Sequence, residues 1–399
     1  LKLSVLENKT TRLYFIDAMR AWAILMMLQG HFIDGLLDTA FRDGTSTSFS
    51  IWKYFRGITA PVFFTVSGFI FTYLLIKGDK TGIQNPRVKK GVRRGLELLF
   101  IGYLLRMNLF GLLQGKFYDS FYLVDVLHCI GLSLLGIIGI YLLAQKQKKY
   151  SFPLALLSIT ALLFIFEPTY KTWGFSFLPN AFANYLTKAN GSVFTIIPWF
   201  GYAAFGGFLS VVFTKFKNSK YLYSVAIPLF AITGALLILF SSDLFLIISK
   251  WTDLQLFANI YFNNYLFIRL GDVLIVFSVF MLFRSLLKNR TVLKIGQSTL
   301  SIYIIHFIIL YGTFTGLGLY RFLNHSLTPT ISILGAFTFM VVCTYTALKY
   351  EDNKEAVKLR LAIVLRFAQA KIEILAIQVF QISKNQFFRF LRRVGLAKN

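Results

Sequence analysis

The chain reads as an all-α, polytopic membrane protein of about ten transmembrane helices with both termini cytoplasmic, and three observations predict that class. Of its 399 residues, 56% are hydrophobic and 17% aromatic, with a mean hydropathy of +0.64. That is too apolar for a soluble globule. The apolar residues form unbroken runs of the roughly 20 residues a helix needs to cross hydrocarbon, rather than the alternating ten-residue strands of a barrel. Finally, the basic residues alternate between successive loops, as cytoplasmic and outer loops do. A net charge of +25 would suggest nucleic acid in a soluble chain. Here the cations gather in loops and tail, where they set topology and meet anionic lipid, so nucleic acid is not expected as a partner.

Taken in order, the apolar windows fall near 13–37, 55–77, 92–114, 122–144, 151–168, 193–213, 221–241, 266–287, 297–319 and 330–349, the fifth being short. The first opens without the plain apolar core and small-residue cleavage site of a secretory signal, so it is expected to stay in the mature protein. One alternate set of loops holds Lys2, Lys9 and Arg12; Lys77 through Arg94; Lys146, Lys148 and Lys149; Lys215, Lys217 and Lys220; and Arg284 through Lys294. These are placed in the cytoplasm. Residues 245–264 are too polar for another span and are expected as an amphipathic or re-entrant segment on the outer side. Cys129 and Cys343 sit in apolar windows with no disulfide or metal spacing, which makes them core thiols. After Tyr350 the composition changes. The stretch 351–399 mixes Leu, Ile, Val and Phe with Lys and Arg, and is read as a basic amphipathic cytoplasmic tail that lies on the membrane surface, distinct from the 1–350 membrane domain.

The first window organises the rest. Asp17, Arg20, His31 and Asp34 lie on one face of its helix, with Arg20 and His31 nearly eclipsed and roughly 16 Å apart. Ionisable groups inside a span cost about 2.5–3.5 kcal/mol each on insertion scales, so they should face protein or water and mark function. The inferred topology brings further polar groups to the outer half: Arg106 and Asn108, Asp125 and His128, and Arg269 and Asp272, with His306 at mid-depth. Such a cluster suits a water-filled substrate cavity. His31, with Asp34 to orient it, is the candidate base; His306 is a second candidate catalytic group. His325, in a loop, is expected to be exposed and inert. No GxSxG, Walker A or HExxH motif occurs, and no metal site is expected.

At these residues the chain resembles the transmembrane acyltransferase superfamily. RLYFIDAMRAWAILMMLQGH (12–31) is similar to its first-helix signature, and ITAPVFFTVSGFIF (58–71), RRGLELLFIGYLL (93–105), YLVDVLHCIGLSLL (122–135), IPWFGYAAFGGFLS (197–210) and IGQSTLSIYIIHF (295–307) resemble further helices. The third, fourth and sixth segments favour the heparan-α-glucosaminide N-acetyltransferase branch over the acyltransferase-3 branch. The fourth departs from it, with His128 and Cys129 where the branch has Gln and Arg.

The resemblance implies a ten- or eleven-helix fold and transfer of an acyl group, most simply acetyl, from cytoplasmic acetyl-CoA or another acyl-CoA to a hydroxyl or amine of an extracytoplasmic sugar or glycan. It points to a bacterial inner membrane and is compatible with a homodimer. His31 matches the superfamily's essential histidine. The chemistry then assigns catalysis to His31, as base or as an acyl-carrying nucleophile, with Asp34 and His306. Substrate contacts go to Arg20, Asp17, Arg106, Asn108, Asp125, His128, Arg269 and Asp272, and the CoA phosphates to Lys89, Lys90, Arg93 and Arg94. Arg20 could also guide the pantetheine arm; Arg106, Asn108 and His306 are candidate oxyanion donors. The alternative from another class is a secondary transporter or proton-coupled flippase that uses the same polar stripe as a relay.

Overall fold

A computed structural model describes residues 13–78, 80–116, 118–145, 147 and 150–393. Lys2, Lys9, Arg12, Lys146, Lys148 and Lys149 of the expected cytoplasmic loops lie outside the described residues, as do residues 394–399 of the tail. The described residues form helices joined by turns and loops, with two isolated bridges and no strand. Two compact units are distinguished, residues 1–345 and 346–399.

In the first unit the long helices are α1 (Tyr14–Leu36), α2 (Thr47–Ile76), α3 (Pro86–Arg106), α4 (Val126–Ala144), α5 (Ser151–Ile165), α6 (Ile196–Phe216), α7 (Leu222–Thr252), α8 (Tyr265–Leu282), α9 (Arg290–Gln297), α10 (Thr299–Tyr311) and α11 (Pro329–Arg393), the last continuing into the second unit. Six of the described helices are long and apolar enough to cross a bilayer: α2, α4 with its preceding turn, α6, α7, α8 and α11. Taken together as one span, α9 and α10, bent by 70° at Ser298, make up to seven. Outside that set, α1 is diluted by its polar stripe, α3 begins with five cations, and α5 has 15 residues.

Despite its charges, α1 is the most enclosed helix. Phe15, Ile16, Met19, Ile24, Leu28 and Leu36 are all at most 2% exposed, so its stripe faces protein, as the cost of charge in hydrocarbon requires. The tightest crossing is between α2 and α6. A Cβ on Gly68 would run into the Ala203 backbone, and one on Gly206 into the Thr65 backbone, so only glycine lets these backbones approach so closely. At the end of the bundle where α2 finishes and α3 begins, a core of Leu75, Val88, Ile137, Ile138, Tyr141, Leu156, Ala203 and Ala204 seals the interior.

The opposite end stays more open because the connections there are tied down without filling it. Gly312 ends α10 in the left-handed region (φ 69°), where a side chain would be strained. The chain then turns so that Phe314 pairs its backbone with Met107 and Leu109, at 3.1 and 2.9 Å. Further along, Leu327 donates to Leu36 and accepts from Asp38, at 2.9 and 3.0 Å. The α10–α11 connection is thereby stitched to the ends of α1 and α3.

Residues 245–252, expected in a polar outer segment, instead continue α7 through Thr252; only Gln255–Phe262 forms a separate short helix, with Phe257 stacked on Phe245. Apolar Leu244, Phe245 and Ile247–Ile248 carry the helix past the point where the hydropathy window faded. Cys129 and Cys343 are buried free thiols, in keeping with the sequence reading. The second unit is helical through Arg393, with i,i+3 pairs Lys354–Glu351 (3.2 Å) and Lys358–Glu355 (3.0 Å) along its surface.

Candidate active site

A cavity of ≈ 800 Å³ occupies the open end of the bundle. Its walls come from the second half of α1, the middle of α2, the ends of α3 and α10, the first turns of α4, α6 and α8, and the loops before α6 and after α10. His31 lines it. The imidazole Nδ1 lies 3.1 Å from the Tyr311 hydroxyl, and the ring packs 5.3 Å from that of His306. With Nδ1–H donating to Tyr311, the Nε2 lone pair is left to act as a base.

Asp34 does not orient this imidazole, contrary to the expectation from its position one turn away. Its carboxylate is held by Arg42, at 3.2 Å, and by Arg56. Two guanidiniums satisfy it more completely than one neutral ring could. Arg56 lines the cavity as well, so α2 delivers a cation beside His31. The remaining histidines are also settled. His306 is fully buried behind His31, against Tyr303 at 4.8 Å, and is not part of the cavity wall. His325 is half-buried rather than exposed, its Nδ1 bonded to the Leu37 carbonyl at 3.1 Å.

Of the expected substrate contacts, Arg106, Asn108 and Asp125 do line the cavity. Asp125 is also the N-cap of α4: it accepts from the Leu127 amide (3.1 Å), pairs with Arg106 (3.2 Å), and lies 3.0 Å from His128 Nδ1. Asn108 caps the short helix Leu109–Leu113, accepting from the Gly111 amide at 3.0 Å, so its side-chain oxygen is already engaged. His128 is wholly buried against Tyr103 and stays out of the cavity wall.

Arg269 and Asp272 do not line the cavity either. They pair at 2.8 Å, Tyr54 donates to Asp272 at 2.7 Å, and the guanidinium stacks 4.5 Å over the Tyr54 ring. This is a clip between α2 and α8. Asp17 and Arg20 sit toward the far end of α1, where Arg20 donates to Thr299 at 3.0 Å. Lys89 and Arg93 line a separate surface groove along α3, and Lys90 and Arg94 are exposed beside it; Glu97 engages Arg93 at 2.8 Å and Arg94 at 3.7 Å. The structure therefore does not bring the basic patch into the cavity.

Several lining residues escaped the sequence reading: Arg56, Lys188, Tyr311, Thr59, Trp199 and Thr313. Lys188 is exposed at the mouth, its ammonium 6.0 Å over the Trp199 ring. Apart from Arg56 and Lys188 these are neutral, and a search for intramembrane charge passes over them. Among the described residues, no group of three or more His, Cys, Asp or Glu is placed to hold a metal ion.

Residues 12–249, more than half of the chain, match the family described as heparan-alpha-glucosaminide N-acetyltransferase, catalytic. The chain belongs to that family. No curated protein matches it. The family match begins at the first-helix signature, contains His31, Arg56, Arg106, Asp125 and Trp199, and stops before α8. The chain is thus a membrane protein of an acetyltransferase family whose histidine-lined cavity is completed by helices beyond the matched segment.

Proposed function

We propose that the protein is an integral membrane acetyltransferase. It would take an acyl group, most simply acetyl, from cytoplasmic acyl-CoA and deliver it to an amine or hydroxyl of an extracytoplasmic sugar or glycan. The observation that carries this reading is His31, which lines a cavity of ≈ 800 Å³ with its Nδ1 held by Tyr311, inside the segment that matches the family. Ten spans with cytoplasmic termini remain the proposed topology, with α1, α3 and α5 crossing among their neighbours. The cavity then faces outward, and a bacterial inner membrane is the proposed setting.

His31 Nε2 removes a proton from the acceptor as its nitrogen or oxygen attacks the thioester carbonyl. The new C–N or C–O bond leaves a tetrahedral oxyanion beside Arg56 and Arg106, the two guanidiniums of the wall. Collapse breaks the C–S bond, and the departing thiolate takes the proton back from the imidazolium, so CoA leaves as the thiol.

The donor's phosphates are assigned to Lys89, Lys90, Arg93 and Arg94. These lie on the first two turns of α3, whose last turn supplies Arg106 to the cavity, about 20 Å away along the helix. That separation is on the scale of an extended CoA, so a donor lying along α3 would span it. Release of free thiol by the purified protein, on addition of acetyl-CoA and a glycan amine, tests the proposal. Uptake of a sugar driven by a proton gradient, with no thiol released, would favour the transporter reading instead.

A further inference from the structure

The second unit carries an apolar surface that nothing in a single chain covers. From Glu355 through Phe388 every described side chain of α11 is exposed, yet the segment is rich in Leu, Ile, Val and Phe. A helix in water owes most of its stability to the packing of its apolar face, and an exposed apolar surface of this length marks a place of interaction.

The order of the residues says which partner fits. Leu361, Ala368, Leu375 and Ile382 recur at every seventh residue, and Leu365, Ile372, Val379 and Gln386 form a second such set, offset by four. Together the two sets alternate spacings of four and three, which is the heptad of a coiled coil with the first set at d and the second at a. β-Branched Ile372 and Val379 at a, with Leu361 and Leu375 at d, is the combination that favours two parallel strands. Leu361, Ile372, Leu375, Val379 and Ile382 are 56–66% exposed, so the seam stands open in one chain. Lys358 and Arg389 take the next positions of the row at either end and delimit it. Lys371 is the one charge at the flanking e and g positions between 361 and 386, and across a parallel seam it meets the position of Ala376. Two copies of this basic tail therefore approach without a like-charge contact beside the seam. On the opposite face a shorter row, Ile363, Phe367, Ile374 and Ile377, stops at Gln381 and Lys384.

Two arguments choose a second copy over the bilayer surface on which composition alone lays this tail. The helix is unbroken from Pro329 to Arg393 and begins with the apolar window 330–349. A turn from crossing the bilayer to lying on it needs a sharp bend, and the chain has neither Pro nor Gly, the usual residues of such bends, between 336 and 393. Moreover, copies inserted in one membrane with one topology carry their tails on the same side, which is the parallel arrangement that the seam favours. We infer that residues 361–386 pair with the same segment of a second copy as a parallel two-stranded coiled coil, which makes the tail a self-association element. This goes beyond the acyl-transfer reading and does not depend on it.

The test maps the seam with disulfides in the full-length protein, in detergent and again in liposomes. Val379→Cys, Ile382→Cys and Lys384→Cys are compared, with the wild type, whose Cys129 and Cys343 are buried, as background. In a parallel pair with axes about 8–10 Å apart, positions a and d face each other, whereas f points away, beyond the roughly 7 Å between Cα atoms that a disulfide spans. Copper-catalysed oxidation should link Val379→Cys and Ile382→Cys into dimers while Lys384→Cys stays monomeric on gels. Ile372→Lys/Leu375→Lys, added to Ile382→Cys, should remove the link by placing like charges in the seam. Equal rates of linking at 379 and 384, or a link at 382 that survives the two lysines, would overturn the coiled coil. So would the absence of a link at all three positions in both media, and closure of those cysteines to a water-soluble maleimide in liposomes would then place the tail on the bilayer.

Discussion

Tyr311 shows how a residue with no charge decides the state of one that can be charged. Its hydroxyl lies 3.1 Å from His31 Nδ1, while Asp34 is occupied by Arg42 and Arg56. Tyr311→Phe should therefore lower turnover by about 3- to 10-fold, the worth of one hydrogen bond, with donor Kd unchanged. Asp34→Asn should act differently: it weakens two ion pairs at the end of α1, so the thermal midpoint should fall at least as clearly as the rate. A larger loss of turnover in Asp34→Asn than in Tyr311→Phe, at unchanged midpoint, would return the orienting role to the carboxylate. The sequence made His31 legible because an imidazole inside an apolar run is costly. It hid Tyr311, an ordinary aromatic 280 positions away, because nothing local says which ring nitrogen a tyrosine will meet. Thr59, Trp199 and Thr313 were hidden for the same reason.

The helices themselves were largely readable, because apolar length fixes where a span can lie. Their roles in contact were less so. Arg269 and Asp272 share a helix face by their spacing, but only the fold shows Tyr54 of α2 against both. As a clip, this cluster should respond in stability. Arg269→Ala leaves Asp272, 5% exposed, with a buried charge and one hydroxyl donor, at a cost of about 3–5 kcal/mol. Replacing both residues by Leu should recover much of that, read as the midpoint of thermal unfolding in detergent. The α2–α6 crossing is a second test of packing: Gly206→Ala forces a Cβ into the Thr65 backbone, and backbone gives way less easily than a side-chain tip. About 1–3 kcal/mol of destabilisation is expected. The extent of α7 was misread because Asp243 and Lys250 thinned the hydropathy near its end, although the surrounding apolar residues still support the helix.

For the whole molecule, alternation of basic loops predicts sidedness, and the fold separates two regions accordingly. Lys89 and its neighbours lie on the first turns of α3, whereas Arg106, at the helix's end, faces the cavity with Lys188. Single cysteines at 89 and 190, both exposed positions, should label from opposite sides of sealed vesicles, 89 from the cytoplasmic side. Labelling of both from one side would refute the ten-span topology. Salt should also weaken donor binding if the phosphates meet exposed cations, and Lys89→Ala/Lys90→Ala/Arg93→Ala/Arg94→Ala should reduce it further. The charge pattern gave the sequence reading its sidedness but not its connectivity. It set the basic patch and His31 toward opposite ends, but not which side chains from other helices, such as Tyr311 and Arg56, would meet His31 there.

The central claim is that acyl transfer depends on His31, and one comparison tests it most directly. Purified wild-type and His31→Ala proteins are given acetyl-CoA with methyl α-D-glucosaminide, and free thiol is followed while donor affinity and thermal midpoint are measured on the same samples. The account predicts turnover by the wild type and a loss of at least about 100-fold in His31→Ala, the lower range for a positioned acid–base group, with donor Kd and midpoint preserved. A stable His31→Ala protein that binds donor and turns over near the wild-type rate would contradict it.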